Sequence, residues 1–437
     1  MKRKIFEQLK AWKDSPLRMP LLLRGARQTG KSYLIEHFGE MHFESLVIIN
    51  FELMPGASEC FLSLEPDSII SKLEFITGKN INPGKTLLFL DEIQECPQAL
   101  QALRYFKEKK PALHVIAAGS LLEFVLNSEN FRMPVGRIEM LYLRPMSFLE
   151  FLLALDENKL VEFIQTVQIN ENIIQPIHEK LSELAHLYFH LGGMPAVVQA
   201  YQQLKKLSPC QHLQKQLLNT YRNDFGKYAD LTNQHYLKRL FGKAPGLIAK
   251  QFKYADVDPT IESRYLKNAL QLLKQAGLLH QVFMTQASGL PLISQINEKK
   301  FKLLFLDIGL ANCAQEIDIQ ARFNLESPLL NKGALIEQFV GQELLAYQSP
   351  ENEAALYFWQ RDGKEASAEI DYLISLNGKI IPIEVKSGKT GRLKSLHTFI
   401  NEKKLSKGIV ISEHEFQQKD NITFIPFYLT SQIERLV

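Results

Sequence analysis

An eight-residue string, GARQTGKS at positions 25–32, limits the folds open to this chain more than any other feature. It has the spacing G-x-x-x-x-G-K-[ST], with an apolar run, Leu21–Leu23, before it and a helical pattern from Lys31–Tyr33 after it. Glycine tolerates backbone angles closed to other residues, so Gly25 and Gly30 let the loop curl back on itself. The N–H groups of Gly25, Ala26, Arg27, Gln28, Thr29 and Gly30, with those of the first helical residues through Tyr33, then converge on an anion at a helix N-terminus. In this geometry Lys31 reaches β- and γ-phosphate oxygens and the Ser32 hydroxyl binds Mg2+. The expected ligand is Mg-ATP, and the expected host is a strand–loop–helix unit.

The surrounding sequence supplies such a host. LLLRG, SLVIINF, TLLFLDE and HVIAAGS recur between helical patterns up to about residue 155. Short continuous apolar runs mark strands buried on both faces, with helices as crossovers. The expected fold class is therefore α/β, with a doubly wound parallel sheet. LLFLDEIQ ends in Asp91 and Glu92, placed to hold Mg2+ through water and to polarise an attacking water. Ser120 closes the next strand, where it can contact the γ-phosphate or water. Arg132 and Arg137 in NFRMPVGRIEM are candidates for a transition-state arginine, with Arg137 preferred.

The chain has 437 residues, too many for one ordinary core, and its 46% hydrophobic and 23% charged residues fit a globular protein. Residues 156–225 read as a helical connector. Residues 226–325 read as helices and a two-stranded hairpin, a winged-helix-like pattern. In them Leu266, Leu270 and Leu273 share one helical face and Gly277 ends that helix. Residues 326–437 read as a second α/β unit. The four cysteines are scattered without a C-x-x-C pair, which argues against a zinc site and suits a reducing compartment. No signal-peptide core and no run of about 18 apolar residues is present, so the cytoplasm is expected and a membrane span is not.

A second group of ionisable residues lies in the last unit. Asp371 sits in AEIDYLIS, and Glu384 and Lys386 share one face of IIPIEVKS. If these strands form a hairpin across LNGK, Asp371 approaches Glu384, and Glu337 on the preceding helix adds a further carboxylate. Two acids and a lysine in this arrangement can bind a divalent metal, at Asp371 and Glu384, and assist phosphodiester hydrolysis through Lys386. An ordinary hairpin with charged residues gives the same short pattern. The formal charge of +3 hides two basic stretches: eight Lys or Arg between Lys238 and Lys274, and seven between Lys386 and Lys407. Such stretches suit either a nucleic-acid backbone or a solvated helix face.

With these residues placed, the chain resembles prokaryotic AAA-superfamily ATPases fused to a C-terminal domain of unknown function with a PD-(D/E)xK-nuclease-like core. The resemblance is carried by RGARQTGKS, LLFLDEIQ, VIAAGSLL, the GR of VGRIEM, LRPMSFLEFL, LGGMPAVV, LFLDIGLA, GALIEQFVGQEL and AEIDYLI…IPIEVKSG, in that order. It implies an AAA module at 1–155, a helical and winged-helix-like middle at 156–225 and 226–325, and a nuclease-like end at 326–437. It implies nucleotide roles for Gly25, Gly30, Lys31 and Ser32, hydrolytic roles for Asp91 and Glu92, and a nuclease constellation of Glu337, Asp371, Glu384 and Lys386. DNA is the partner so implied, with a homo-oligomer as the common assembly of such modules.

Overall fold

The four apolar runs of the N-terminal part become parallel strands: β1 (Leu21–Arg24), β2 (Ser45–Asn50), β3 (Thr86–Asp91) and β4 (His114–Ala118). A fifth, β5 (Glu139–Tyr142), completes a sheet of order β2-β3-β4-β1-β5 in which every pair is parallel. The computed structural model describes residues 2–126, 136–169, 171–315, 332–361, 368–388 and 393–437. Arg132 lies outside them, as do Lys389 and Arg392 and the expected boundary at 325–326.

Both faces of this sheet are covered, which is why its strands read as unbroken apolar runs. Leu87 and Phe89 of β3 join one core with Leu34, Ile35 and Phe38 of the Lys31–His42 helix. Leu88 and Leu90 point the other way, into a core filled by Ala99, Leu100, Leu103 and Phe106 of the Pro97–Lys109 helix. The sheet belongs to a compact unit of residues 1–144 with 275–277 and 349–353.

The second unit holds residues 145–274, 278–348 and 354–437. Its first part is helical, as expected, with helices at Asn158–Thr166, Gln175–Leu191, Pro195–Leu204 and Leu207–Asp224. The expected amphipathic helix spans Ser263–Gln275, buries Leu266, Leu270 and Leu273, and is followed by Gly277 at φ 71°. The hairpin that follows is β6 (Leu279–Thr285) and β7 (Ile296–Phe305). The remaining strands are β8 (Leu356–Gln360), β9 (Glu369–Leu376), β10 (Lys379–Val385), β11 (Gly408–Ser412), β12 (Gln417–Lys419) and β13 (Ile422–Pro426). All eight form one sheet of order β12-β13-β11-β10-β9-β8-β6-β7. The hairpin expected in a winged-helix module is thus also the edge of the C-terminal sheet, because β6 pairs in parallel with β8.

Several quoted motifs have structural work here. Asp307 of LFLDIGLA is fully buried; it accepts the Leu310 N–H as a helix N-cap and the Gly193 N–H of LGGMP at 2.6 Å. Gly192 has φ 72°, and a Cβ there would lie 2.0 Å from Asp307 Oδ1, so no other residue fits. On the Lys332–Tyr347 helix, buried Gln338 pairs its amide with both the N–H and the C=O of Phe305 on the edge strand β7. Gln342 accepts the Ile308 N–H and donates to the Tyr188 hydroxyl. These side chains satisfy buried backbone groups that would otherwise be costly. Among the described residues no helix is long and apolar enough to cross a membrane.

Candidate functional site

The turn after β1 builds the phosphate loop. Gly25 has φ 147°, and a Cβ would meet the Leu143 carbonyl oxygen at 2.2 Å, so the strand exit closes only around glycine. Gly30, at φ 91°, delivers the chain into the Lys31–His42 helix, and Gln28 also adopts a positive φ of 65°. The Thr29 hydroxyl donates to the Ala26 carbonyl at 2.9 Å, and Arg3 donates to the Thr29 carbonyl, tying the loop from both sides. Lys31 is buried and donates to the carbonyls of Gly25 and Ala26, each at 2.9 Å. Burial pushes its ammonium down to about 8, against the pull of Glu92 and Asp91, while Arg27 adds to the lowering. Arg27 lies 3.9 Å from Glu52, and Tyr33 is exposed and stacks on His37.

The sheet order puts β4 between the phosphate-loop strand and β3, and the acids at the end of β3 face the loop. Ser32 Oγ donates to Asp91 Oδ2 at 2.9 Å. The Asp91 carboxyl is raised, first by burial and then by Glu92, although Ser32 and Asn50 stabilise its charge. Glu92 adopts the left-handed region at φ 50°, a conformation uncommon outside glycine and frequent at functional sites. Its Oε2 accepts from Gln94 Nε2 at 2.7 Å and from Ser120 Oγ at 3.4 Å. The structure therefore gathers Lys31, Ser32, Asp91, Glu92 and Ser120. Arg137 is exposed; among the described residues it pairs with Glu108 at 3.3 Å and donates to the Gly136 carbonyl, both outside the phosphate loop.

Sequence reasoning missed two supports of this site. Asn50, the last residue of β2, donates to Asp91 Oδ2 at 3.0 Å while its own Oδ1 caps the N–H groups of Glu52 and Leu53. A polar residue ending an apolar strand, at the carboxyl edge of a parallel sheet, was the available signal. Gln94 left no such signal; its role depends on the strained turn at Glu92.

The C-terminal carboxylates are also brought together, with an unexpected companion. β9 and β10 form the anticipated hairpin, with Ile383 opposite Tyr372. Asp371 Oδ2 accepts the Val385 N–H at 2.8 Å, and Lys386 Nζ lies 2.5 Å from Glu384 Oε1. Glu384 Oε2 is buried without a hydrogen-bond partner among the described residues. Lys302 of β7, only 2% exposed, places Nζ 2.5 Å from Glu369 Oε1, 2.9 Å from Glu337 Oε1 and 3.5 Å from Asp371 Oδ1. Burial raises the Glu337 and Glu384 carboxyls, and neighbouring Asp371 adds to both shifts. The three acids raise the Lys302 ammonium in spite of its burial. Among the described residues no group of three or more His, Cys, Asp or Glu is arranged to hold a metal ion. Of the two acids expected to hold a metal, Asp371 belongs to the cluster around Lys302, a lysine the sequence reading did not single out, and Glu384 pairs with Lys386. A lysine flanked by Lys300 and apolar Leu303–Phe305 reads as a strand charge, and only the tertiary fold shows its burial.

Comparison with known proteins bears on each part. The model of the AAA domain matches residues 17–152, which contain the loop, both acids and Ser120. Two domains of unknown function, DUF8612 and DUF4143, match residues 182–321 and 332–430. The fold and site define an ATPase built on an AAA domain. Similar solved structures include the Aeropyrum pernix ORC1 protein in complex with DNA, at 11% identity and a TM-score of 0.29, covering 74% of this chain and 92% of that one. AMPPCP-bound DnaA from Aquifex aeolicus is similar at 10% identity and a TM-score of 0.27, covering 62% and 86%. A signal-transduction ATPase with numerous domains from Pyrococcus horikoshii is similar at 13% identity and a TM-score of 0.28; 79% of this chain spans 45% of that one. No curated protein matches the chain.

Proposed function

We propose that the chain hydrolyses Mg-ATP at the loop and uses the cycle to control nucleic-acid binding by its second unit. The observation that carries this reading is the convergence of Lys31, Ser32, Asp91 and Glu92 at the carboxyl edge of a parallel sheet. Ser32 and Asp91 have the donor chemistry to hold Mg2+, directly and through water, and the ion would neutralise charge on the phosphates. The loop N–H groups bind the phosphates, and Lys31 exchanges the Gly25 and Ala26 carbonyls for phosphate oxygens. Glu92 orients water and takes its proton, with Gln94 and Ser120 fixing its carboxylate. Arg137, exposed and paired at the surface with Glu108, suits a role in a neighbouring protomer of an oligomer.

For the second unit, duplex DNA is the partner that the surface supports best. Lys238, Arg239, Lys243, Lys250, Lys253, Arg264 and Lys267 are exposed. On the Ser263–Gln275 helix, Arg264, Lys267, Asn268 and Gln271 follow i, i+3, i+4, i+7 spacing and are all exposed, which puts them on one face. Binding that weakens steeply with salt, and falls about tenfold or more in a Lys243→Glu, Lys267→Glu variant, is the expected result. Salt-independent or absent binding contradicts it. Between binding with metal-dependent cleavage of DNA and binding without cutting, the seat of Lys302 among the acids favours the second.

A further inference from the structure

We propose that the Lys302 ammonium is the resident cation of the Glu337, Glu369 and Asp371 cluster, so that these acids are already taken by a protein charge and not free to hold the divalent ion that phosphodiester hydrolysis would need. The inference rests on the non-cutting reading above and names its physical cause.

The geometry is specific. One ammonium lies within 3.5 Å of three carboxylates from two elements: Glu337 on the Lys332–Tyr347 helix, and Glu369 and Asp371 on β9. Its fourth neighbour is the Phe358 ring of β8, with Nζ 5.3 Å from the centroid. The lysine itself comes from β7, so a single charge joins the edge hairpin, the helix and two inner strands. An ammonium has three N–H donors, and three acids surround this one. A buried charge paired this way is costly to unpair, because its desolvation is already complete. A metal ion entering among these acids would have to displace the lysine and leave its ammonium buried beside a second cation. Of the neighbouring oxygens, Asp371 Oδ2 takes the Val385 N–H and Glu384 Oε1 pairs with Lys386, while Glu384 Oε2 has no hydrogen-bond partner among the described residues. The fit to a metal centre therefore fails at Glu337 and Glu369, the acids that Lys302 holds most closely.

The test counts Mn2+ bound by the full chain without nucleotide, by electron paramagnetic resonance of the free ion. The unsubstituted chain and Glu369→Gln should bind the same number of ions. Lys302→Met, which keeps the apolar stem and removes the charge, should gain one ion, and Lys302→Met combined with Glu369→Gln should lose it again. Loss of an ion in Glu369→Gln alone, or no gain in a folded Lys302→Met, overturns the proposal. Circular dichroism establishes folding; if Lys302→Met does not fold, the comparison of the unsubstituted chain with Glu369→Gln decides. ATP turnover of the same preparations reports separately on the phosphate-loop reading.

Discussion

Ser32 Oγ and Asp91 Oδ2 meet at 2.9 Å although 59 positions separate them in the chain. The pair joins the helix start after β1 to the tip of β3, across the intervening strand β4. A hydroxyl and a buried carboxylate in contact are poised to share one cation. Asp91→Asn keeps the hydrogen-bonding shape and removes the charge. Its turnover with saturating ATP should fall by about a hundredfold or more, the scale of losing one preorganised charge contact. Unchanged turnover over a Mg2+ titration would remove Asp91 from this role.

Lys31 gives a pH signature. Its ammonium titrates at about 8 in the nucleotide-free chain, so it is charged below that value and loses charge above it. Phosphate binding favours the charged form. ATP affinity should therefore fall as pH rises through 8, and binding near pH 8.5 should take up protons. Calorimetry in buffers of different ionisation enthalpy measures that uptake directly. The linked stability effect has the opposite slope: between about 8 and the ordinary lysine value near 10.4 the unfolded chain holds more protons, so stability of the nucleotide-free fold rises with pH there.

His114 and Asp307, one in each unit, should respond to acid in opposite senses. In the first, His114 is packed against Trp12 and Phe43, and burial lowers its imidazole to about 4. Between pH 6.5 and 4 the unfolded chain binds the extra proton, so this contribution to stability declines as pH falls. In the second, burial raises Asp307 to about 6 and raises Glu337 and Glu384 as well. The folded form then binds more protons than the unfolded one, and stability is lost as pH rises through the shifted values. Scanning calorimetry from pH 4 to 7 should show one transition sensitive to His114→Gln and another to Asp307→Asn.

Gly192 is the most stringent backbone position in the second unit. Gly192→Ala places a methyl group against the Asp307 carboxylate and forces an alanine to φ 72°. A loss on the order of 3 kcal/mol is expected from strain and from disturbing the buried carboxylate. Thermal unfolding measures it, and an unchanged midpoint would contradict the packing described.

How much of this was legible in the sequence depended on whether the signal was local. Leu21–Leu23 and Leu87–Leu90 declared buried parallel strands because both faces of the sheet are covered at these residues, and GARQTGKS declared its own turn. Asp371, Glu384 and Lys386 were found because a short hairpin brings them together. β5 was not anticipated, since EMLY is four residues long, opens on a glutamate and buries only Leu141. Joining β6 to β8 was equally invisible, because strand pairing across a long separation leaves no periodicity. Lys302 was missed for the same reason: its three partners lie 35 to 69 positions away.

The measurement that bears most directly on the ATPase is a comparison of ATP binding and turnover in the unsubstituted chain, Lys31→Ala and Glu92→Gln. Glu92→Gln should bind ATP about as tightly as the unsubstituted chain and turn it over about a hundredfold or more slowly, because only the water-activating carboxylate is lost. Lys31→Ala should lose binding itself. Turnover retained in Glu92→Gln, with binding intact, would contradict the account of how this site hydrolyses ATP.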